Sequence, residues 1–575
     1  MDPCPDQRMK MPANESGSST CNDDGKVPPP PWCVVISLKD AHSLSRCSRP
    51  TVRREQRDSK FMIGIMLSAM TLALWLLPTT SVAKANFSTQ CDSLPSLIAA
   101  LASNIGVITT SSIPTHSLNV SGTFNQVAFC RVNGSVPYPE NNNVFYEVWL
   151  PESITYNDRF LAVGNGGLAG RIDYASMLEN VNKGFATSGG DSGHLASDNN
   201  DGDAYPGGIY LPFLHDQNQV LAWIRNSIAL FTPVAKEIAT FYYEKSPQHT
   251  YYKGCSTGGA QGFALAQYHP QLFDGIVAGC PGNWYSHLAL SFLWNQQVTL
   301  GALFLPQESL DLIANAVLDK CDTLDGVEDR VLENPLACTF DLDKLACTTP
   351  ATNSSHCLTS EQLTAAKNIY AGPRHSLSNT SIYPGFGLGS ESEWMMQEGR
   401  LSLSFSLPLL QNMVFDDLNY NGSTFDWASD VDALDLKVGS LIDSVSPNLT
   451  SFKDRGGKLL VTQGWADPFN AATWPIDHLN EISQVTGGDR DEWLSLFMVP
   501  GGGHCGGASS YTHVPGKQNS LEALVEWVEQ MKDPEALLGT SPADGSDRTK
   551  RLCRWPRTAK LVGSDVDSWE SFVCE

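Results

Sequence analysis

The sequence predicts an α/β fold that carries a nucleophilic serine on a sharp strand-to-helix turn, and three observations lead there. The first is Gly254-Cys255-Ser256-Thr257-Gly258, a G-x-S-x-G pattern. A short strand, Thr250-Tyr251-Tyr252, precedes it, and a helix from Gln261 to Tyr268 follows it. The second is the buried-strand run Lys458-Leu459-Leu460-Val461-Thr462, which opens into Gln463-Gly464-Trp465-Ala466-Asp467-Pro468. The third is Leu496-Phe497-Met498-Val499, which leads into Gly501-Gly502-Gly503-His504-Cys505-Gly506-Gly507. A nucleophile, an acid and a base thus follow one another along the chain, each just past a strand pattern.

In chain order, each element has its own reason. The strand Phe160-Leu161-Ala162-Val163 ends in Gly164-Asn165-Gly166-Gly167, where glycines let backbone approach a substrate closely. At the elbow, small flanking residues let the turn close and expose the Ser256 oxygen at a helix N-terminus. The helix after it is packed by Phe263, Ala264 and Leu265, and a further strand follows at Gly275 to Ala278. Near the C-terminus, Ser520 to Met531 forms an amphipathic helix.

A serine hydroxyl is a weak nucleophile until a base takes its proton, and the base needs a carboxylate to orient it. The order serine, acid, histidine, with each on a loop after a late strand, is that of the α/β-hydrolase fold. Asp467 and His504 fill those places; Asp454, His478 and His513 are also in range, but none caps a strand so cleanly. Taken singly, Asp467 is a turn residue before Pro468 and His504 is a loop histidine. Their order after the elbow makes them the acid and the base. The oxyanion donors expected are the N–H of Thr257 and one from the Gly166-Gly167 pair, of which Gly167 is preferred. Asp191-Ser192-Gly193-His194 is a weaker candidate for the pocket wall. Cys255 precedes the serine and Cys505 follows the histidine, so a serine and histidine in reach of each other bring these cysteines within disulfide reach. Two buried free thiols are the alternative.

At these residues the chain resembles the tannase and feruloyl esterase family, whose members carry this Cys-Ser, Asp, His-Cys arrangement. The resemblance runs from about Phe87 to the C-terminus. It implies an α/β-hydrolase esterase with a Ser256-Asp467-His504 triad and a Cys255–Cys505 bridge. It also implies pairing of Cys91 with Cys130, Cys321 with Cys338, Cys347 with Cys357 and Cys553 with Cys574. Cys280, among apolar neighbours, is left as a buried free thiol.

The strand at Gly275 and the one bearing Asp467 are separated by about 180 residues, too long for one crossover connection. The chain therefore divides into an α/β-hydrolase domain at 86–283 and 452–575 with a domain inserted at 284–451; in the family this is a lid that roofs the active site. Its aromatic residues, such as Trp294, Trp394, Phe405 and Phe415, read mostly as lid core. Inside it, Cys321-Asp322-Thr323-Leu324-Asp325-Gly326-Val327-Glu328-Asp329-Arg330-Val331 packs carboxylates around a glycine turn. By spacing alone, a solvated acidic turn fits as well as a metal site. The run is similar to the family's lid calcium loop, which implies a structural Ca²⁺ held by Asp322, Asp325 and Asp329 with the carbonyls of Val327 and Val331. No organic cofactor is expected.

A net charge of -24 and a pI near 4.8 argue against nucleic acid or anionic membrane as partners. Residues Phe61 to Leu77 are largely apolar, follow Arg53, Arg54, Arg57 and Lys60, and lead into Ser81-Val82-Ala83-Lys84-Ala85. This is the layout of a secretory signal over 61–85, or of a signal anchor, behind a disordered extension at 1–60. Both place the body outside the cytosol. Sequons at Asn86, Asn119, Asn133, Asn353, Asn379, Asn421 and Asn448 lead us to expect N-glycans.

Together these readings predict a secreted serine esterase. The resemblance implies action on esters of hydroxycinnamic acids, such as feruloyl groups on plant cell-wall polysaccharide or small phenolic esters. The rivals are a tannase acting on galloyl esters, a secreted serine peptidase, and a non-catalytic glycoprotein.

Overall fold

The computed structural model describes residues 86–102, 104–200, 208–348 and 356–575. The extension at 1–60, the signal segment at 61–85 and the sequon at Asn353 lie outside the described residues. The central sheet comprises β1 (Thr109–Ile113), β2 (Phe129–Tyr138), β3 (Asn142–Pro151), β4 (Arg159–Val163) and β5 (Ala186–Gly190), then β6 (His249–Cys255), β7 (Gly275–Gly279), β8 (Lys458–Gly464) and β9 (Leu494–Val499). Their spatial order is β1-β2-β3-β5-β4-β6-β7-β8-β9. The first three strands and the β3–β5 pair are antiparallel, and every pair from β5 to β9 is parallel.

The longer helices are α1 (Phe87–Leu101), α2 (Tyr174–Val181), α3 (Ser227–Tyr243), α4 (Thr257–Tyr268), α5 (Tyr285–Gln297), α6 (Gln307–Cys321), α7 (Ser360–Ala371), α8 (Trp474–Thr486) and α9 (Ser520–Gln530). The parallel strands are buried on both faces, so their side chains alternate between two cores. Tyr252, Ile276, Leu459 and Val461 pack with Phe231 and Ile238 of α3, Phe263 of α4 and Leu479 of α8. Tyr251, Val277 and Leu460 pack on the other face with Met177 of α2 and with Leu524 and Trp527 of α9.

Between β7 and β8 run α5, α6, α7 and several short helical turns, and this stretch adds no strand to the sheet among the described residues. A small sheet of Pro515–Gln518, Ala536–Pro542 and Lys550–Cys553 follows the last strand. Two elements differ from the sequence reading. Helix α4 begins at Thr257 rather than Gln261, because Gly258 and Gly259 serve as its first turn: a Cβ at Gly259 would meet the Gly279 carbonyl at 2.5 Å. Helix α9 stops at Gln530, with Met531 in the left-handed region at φ 55°.

All five expected disulfides are formed, and Cys280 is the buried free cysteine among the described residues.

Candidate active site

The register of the parallel strands decides where the loops meet. Cys255 pairs with Gly279, Gly279 with Thr462, and Gly464 with Val499, so β6, β7, β8 and β9 end side by side. Ser256 sits at the end of β6 with φ 63° and ψ −122°, a backbone region costly for a residue with a Cβ. Its N–H donates to the Gly279 carbonyl at 2.9 Å, and its own carbonyl accepts the Ala260 N–H at 3.0 Å. Gly254 is required beside it, since a Cβ there would meet the Gly258 carbonyl at 2.5 Å.

Asp467, past β8, is 1% exposed. Its Oδ1 accepts the amides of Phe469 and Asn470 at 2.8 and 3.1 Å, and its Oδ2 accepts Gln463 Nε2 at 2.9 Å. His504 Nδ1 lies 2.9 and 3.0 Å from the two carboxylate oxygens, and the Phe469 ring stacks on the imidazole at 4.3 Å. Burial alone would raise the carboxyl's pKa, but the charge and hydrogen bond of His504 and the two amides hold it below the ordinary value. Burial alone would likewise lower the imidazole, and Asp467 raises it instead. The pair is therefore built to carry an imidazolium against a carboxylate. His504 Nε2 is buried and does not bond Ser256, and the Cys280 thiol lies close enough to the imidazole to help raise its pKa. What ties the base loop to the elbow is the Cys255–Cys505 disulfide, with a Cα–Cα distance of 5.9 Å.

The loop after β4 is held by a buried polar network. Asn165 N donates to Gln261 Oε1 at 3.3 Å, and Gln261 Nε2 donates to Asn165 Oδ1 at 2.9 Å. Asn165 Nδ2 donates to Ser192 Oγ at 2.7 Å, Thr257 Oγ1 donates to the Gly167 carbonyl at 2.7 Å, and His194 Nε2 bonds the Leu168 carbonyl at 2.8 Å. Ser192 and His194 thus buttress this loop, a part the sequence reading left as pocket wall. Gly167 has φ 60°, and added Cβ atoms at Gly166 or Gly167 would meet nothing within 4 Å. The N–H groups of Thr257, Gly166 and Gly167 are taken up by no acceptor in the described residues.

Two cavities meet at this loop, both lined by Asn165, Gly166 and Asp173. One, of about 690 Å³, reaches Ser256, Cys255, Cys280 and Cys505. The other, of about 880 Å³, is lined by Gly167, Leu168, Leu403, Phe405 and Pro408.

A family model described as tannase and feruloyl esterase matches residues 130–575. The chain belongs to the tannase and feruloyl esterase family. It is 29% identical over 471 residues to a probable feruloyl esterase B-2 of Aspergillus terreus, covering 77% of this chain and 86% of that one. It is 29% identical over 556 residues to feruloyl esterase C of Talaromyces stipitatus, covering 89% and 100%. Among solved structures, feruloyl esterase B from Aspergillus oryzae matches with a TM-score of 0.75 at 23% identity, covering 85% of this chain and all of that one. Tannin acyl hydrolase from Aspergillus niger matches with a TM-score of 0.70 at 21% identity, covering 84% and 94%. The fold is the α/β-hydrolase fold, and the protein is a carboxylic ester hydrolase.

In this esterase the acidic loop after α6 meets Lys550 of the small C-terminal sheet, and its end at Val331 stands beside Gly501 of the base loop. Asp322 Oδ1 accepts the Val331 amide at 3.1 Å, and Asp325 Oδ1 accepts the Val327 amide at 3.0 Å. Asp325 Oδ2 and Asp329 Oδ1 are buried without a hydrogen-bond partner. Lys550 Nζ stands 3.4 Å from Asp329 Oδ2 and 3.7 Å from Glu333 Oε2. Sequence reasoning missed Gln261, Gln463 and Phe469 as supports of the site. Gln261 reaches the site from α4, across 96 residues of sequence, whereas Gln463 and Phe469 stand within four residues of Asp467 and bond its carboxylate locally.

Proposed function

We propose that this carboxylic ester hydrolase is a secreted serine esterase that releases hydroxycinnamic acids, feruloyl groups above all, from plant polysaccharide or small phenolic esters. The observation that carries the mechanism is the Asp467–His504 pair, bridged through Cys505–Cys255 to the residue beside Ser256. Ser256 Oγ attacks the ester carbonyl while His504 Nε2 takes its proton; the Ser256–His504 hydrogen bond closes when substrate binds, as is common for sites that are slack when empty. The Thr257 and Gly167 amides hold the oxyanion. His504 then protonates the leaving alcohol, and water releases the acid by the same steps in reverse. Asp467 keeps the proton on Nδ1 and stabilises the imidazolium.

The acyl ring belongs in the cavity of about 880 Å³, where Phe405 and Leu403 from the inserted segment offer an apolar wall beside the oxyanion glycines. The relatives named feruloyl esterases support the feruloyl group as substrate. Five disulfides support an oxidising compartment. N-glycans would sit at exposed sequons such as Asn379 and Asn448.

Asp322, Asp325 and Asp329, with the Val327 and Val331 carbonyls, would hold a structural Ca²⁺. Two buried, unpartnered carboxylate oxygens suit a hard cation. The carboxylates do not converge on one point, so an ion would draw them together and displace the Lys550 ammonium from Asp329.

The deciding experiment compares methyl ferulate, methyl gallate and an aliphatic ester, with Ser256→Ala as the control. Ferulate turnover lost in the variant supports the proposal, and a gallate preference moves the protein to tannase activity. Peptide cleavage without ester cleavage, or no turnover by the folded protein, refutes it.

A further inference from the structure

Among the described residues, the groups of metal-ligand-type atoms that converge within 4.8 Å of one another both contain Cys280. In one, its sulfur meets the sulfurs of Cys255 and Cys505; in the other, it meets a carboxylate oxygen of Asp467 and a ring nitrogen of His504. A free thiol therefore lies against the disulfide that joins the elbow to the base loop. Cys280 occupies the first position after β7, at φ 39°, and is 3% exposed. The Cys505 N–H donates to its sulfur at 3.3 Å, which seats the thiol beside the Cys505 end of the bridge. All three cysteines also line the cavity of about 690 Å³, so protons and small molecules have a route to them.

We propose that Cys280, Cys255 and Cys505 form an intramolecular thiol–disulfide exchange site, with Cys280 as the internal nucleophile. The Cys280 thiol gives up its proton to solvent in the cavity, and the thiolate attacks Cys505 Sγ. The Cys505–Cys255 bond breaks as the Cys280–Cys505 bond forms. Cys255 leaves with the electron pair and takes up a proton. One disulfide is exchanged for another, so no outside oxidant or reductant is needed. The attacking sulfur is held in place, which gives it an effective concentration far above that of a free thiol.

The exchange would leave His504's loop tethered to the end of β7 instead of to the elbow, and would put a free thiol beside Ser256. The base would then be held to the wrong neighbour, and activity would fall as the bridge moves. Burial pushes the Cys280 thiol up, Asp467 beyond β8 acts in the same direction, and His504 and the Cys505 amide act against it. Exchange is accordingly expected to be slow in acid and to quicken in alkali.

The test uses the full secreted chain. Wild type is held in mildly alkaline buffer below its melting temperature with no added thiol. Samples are quenched in acid, alkylated and mapped by mass spectrometry without reduction. The expected result is loss of the Cys255–Cys505 cross-link with matching gain of Cys280–Cys505 and alkylated Cys255, in step with lost activity. Cys280→Ser keeps an acceptor for the Cys505 amide and should retain the native bridge about tenfold longer or more. A second variant, Cys255→Ser, leaves Cys280 and Cys505 as partners and should be secreted with a Cys280–Cys505 bridge. The proposal is overturned if wild type keeps only the native map while it inactivates, or if both thiols of Cys255→Ser alkylate freely in the folded protein.

Discussion

Replacing Asp467 with asparagine separates the carboxylate's charge from its shape. The amides of Phe469 and Asn470 both donate to Oδ1, at 2.8 and 3.1 Å, so the asparagine oxygen must take that position. Its NH₂ then takes the Oδ2 position, facing Gln463 and His504. Gln463 adapts only at a cost: a flip of its amide turns the unpartnered Oε1 toward the new donor but withdraws Nε2 from the Gly464 carbonyl, now bonded at 3.1 Å. His504 Nδ1, 2.9 Å from the same position, adapts only by becoming an acceptor. That leaves the proton on Nε2, where it cannot receive the one from Ser256. If Nδ1 instead still donates to the asparagine oxygen, the imidazolium loses its buried counter-charge and the raised histidine pKa falls back. Either way the loss is in the transition state. We expect kcat on methyl ferulate to fall by about 10³–10⁴-fold, or about 4–5.5 kcal/mol, with KM little changed. The assay is initial rates of the purified variant beside a thermal melt and a disulfide map. A folded Asp467→Asn enzyme whose kcat stays within tenfold of wild type would refute the role given to Asp467.

Other outcomes follow from single residues. Gly167→Ala puts a Cβ at φ 60° without a steric clash, so it should shift one oxyanion amide and lower kcat by about 10–10²-fold. Gly166→Ala, which has no such backbone demand, should do less, and the reverse order would move the oxyanion donor to Gly166. Chelation of Ca²⁺ should lower the melting temperature of wild type but leave Asp325→Asn/Asp329→Asn unmoved; equal shifts in both would remove the ion from this loop. His478 is buried and stacked on Trp474 with neither ring nitrogen hydrogen-bonded, and burial holds its pKa down to about 4. An unfolded histidine binds its proton near pH 6.5, so the unfolded chain holds more protons between those values. Stability is therefore lost as pH falls through that window, by about 3 kcal/mol in full. His478→Leu should show a shallower acid limb in its melting temperature, whereas parallel limbs would place the sensitivity elsewhere.

How much of this was legible in the sequence depends on the range over which each feature is written. The elbow and the strand-to-loop patterns at Leu460 and Phe497 are local, and each emerged as a strand in the parallel half of the sheet. The antiparallel half, β1 to β3, went unassigned. There β2 holds Gly134 and Pro137, and only part of it is buried, which blurs the alternation. The convergence of Asp467 and His504 needed only chain order and parallel pairing, because loops at the same end of adjacent parallel strands must meet. Gln261 and Cys280 are different. Gln261 reaches Asn165 across 96 residues of sequence because α4 lies against the loop after β4. Cys280 faces Cys505 because β7 stops one residue earlier, at Gly279, in register with Cys255. The thiol's place beside the disulfide is thus a property of register across three strands, and no window of sequence around Cys280 records it.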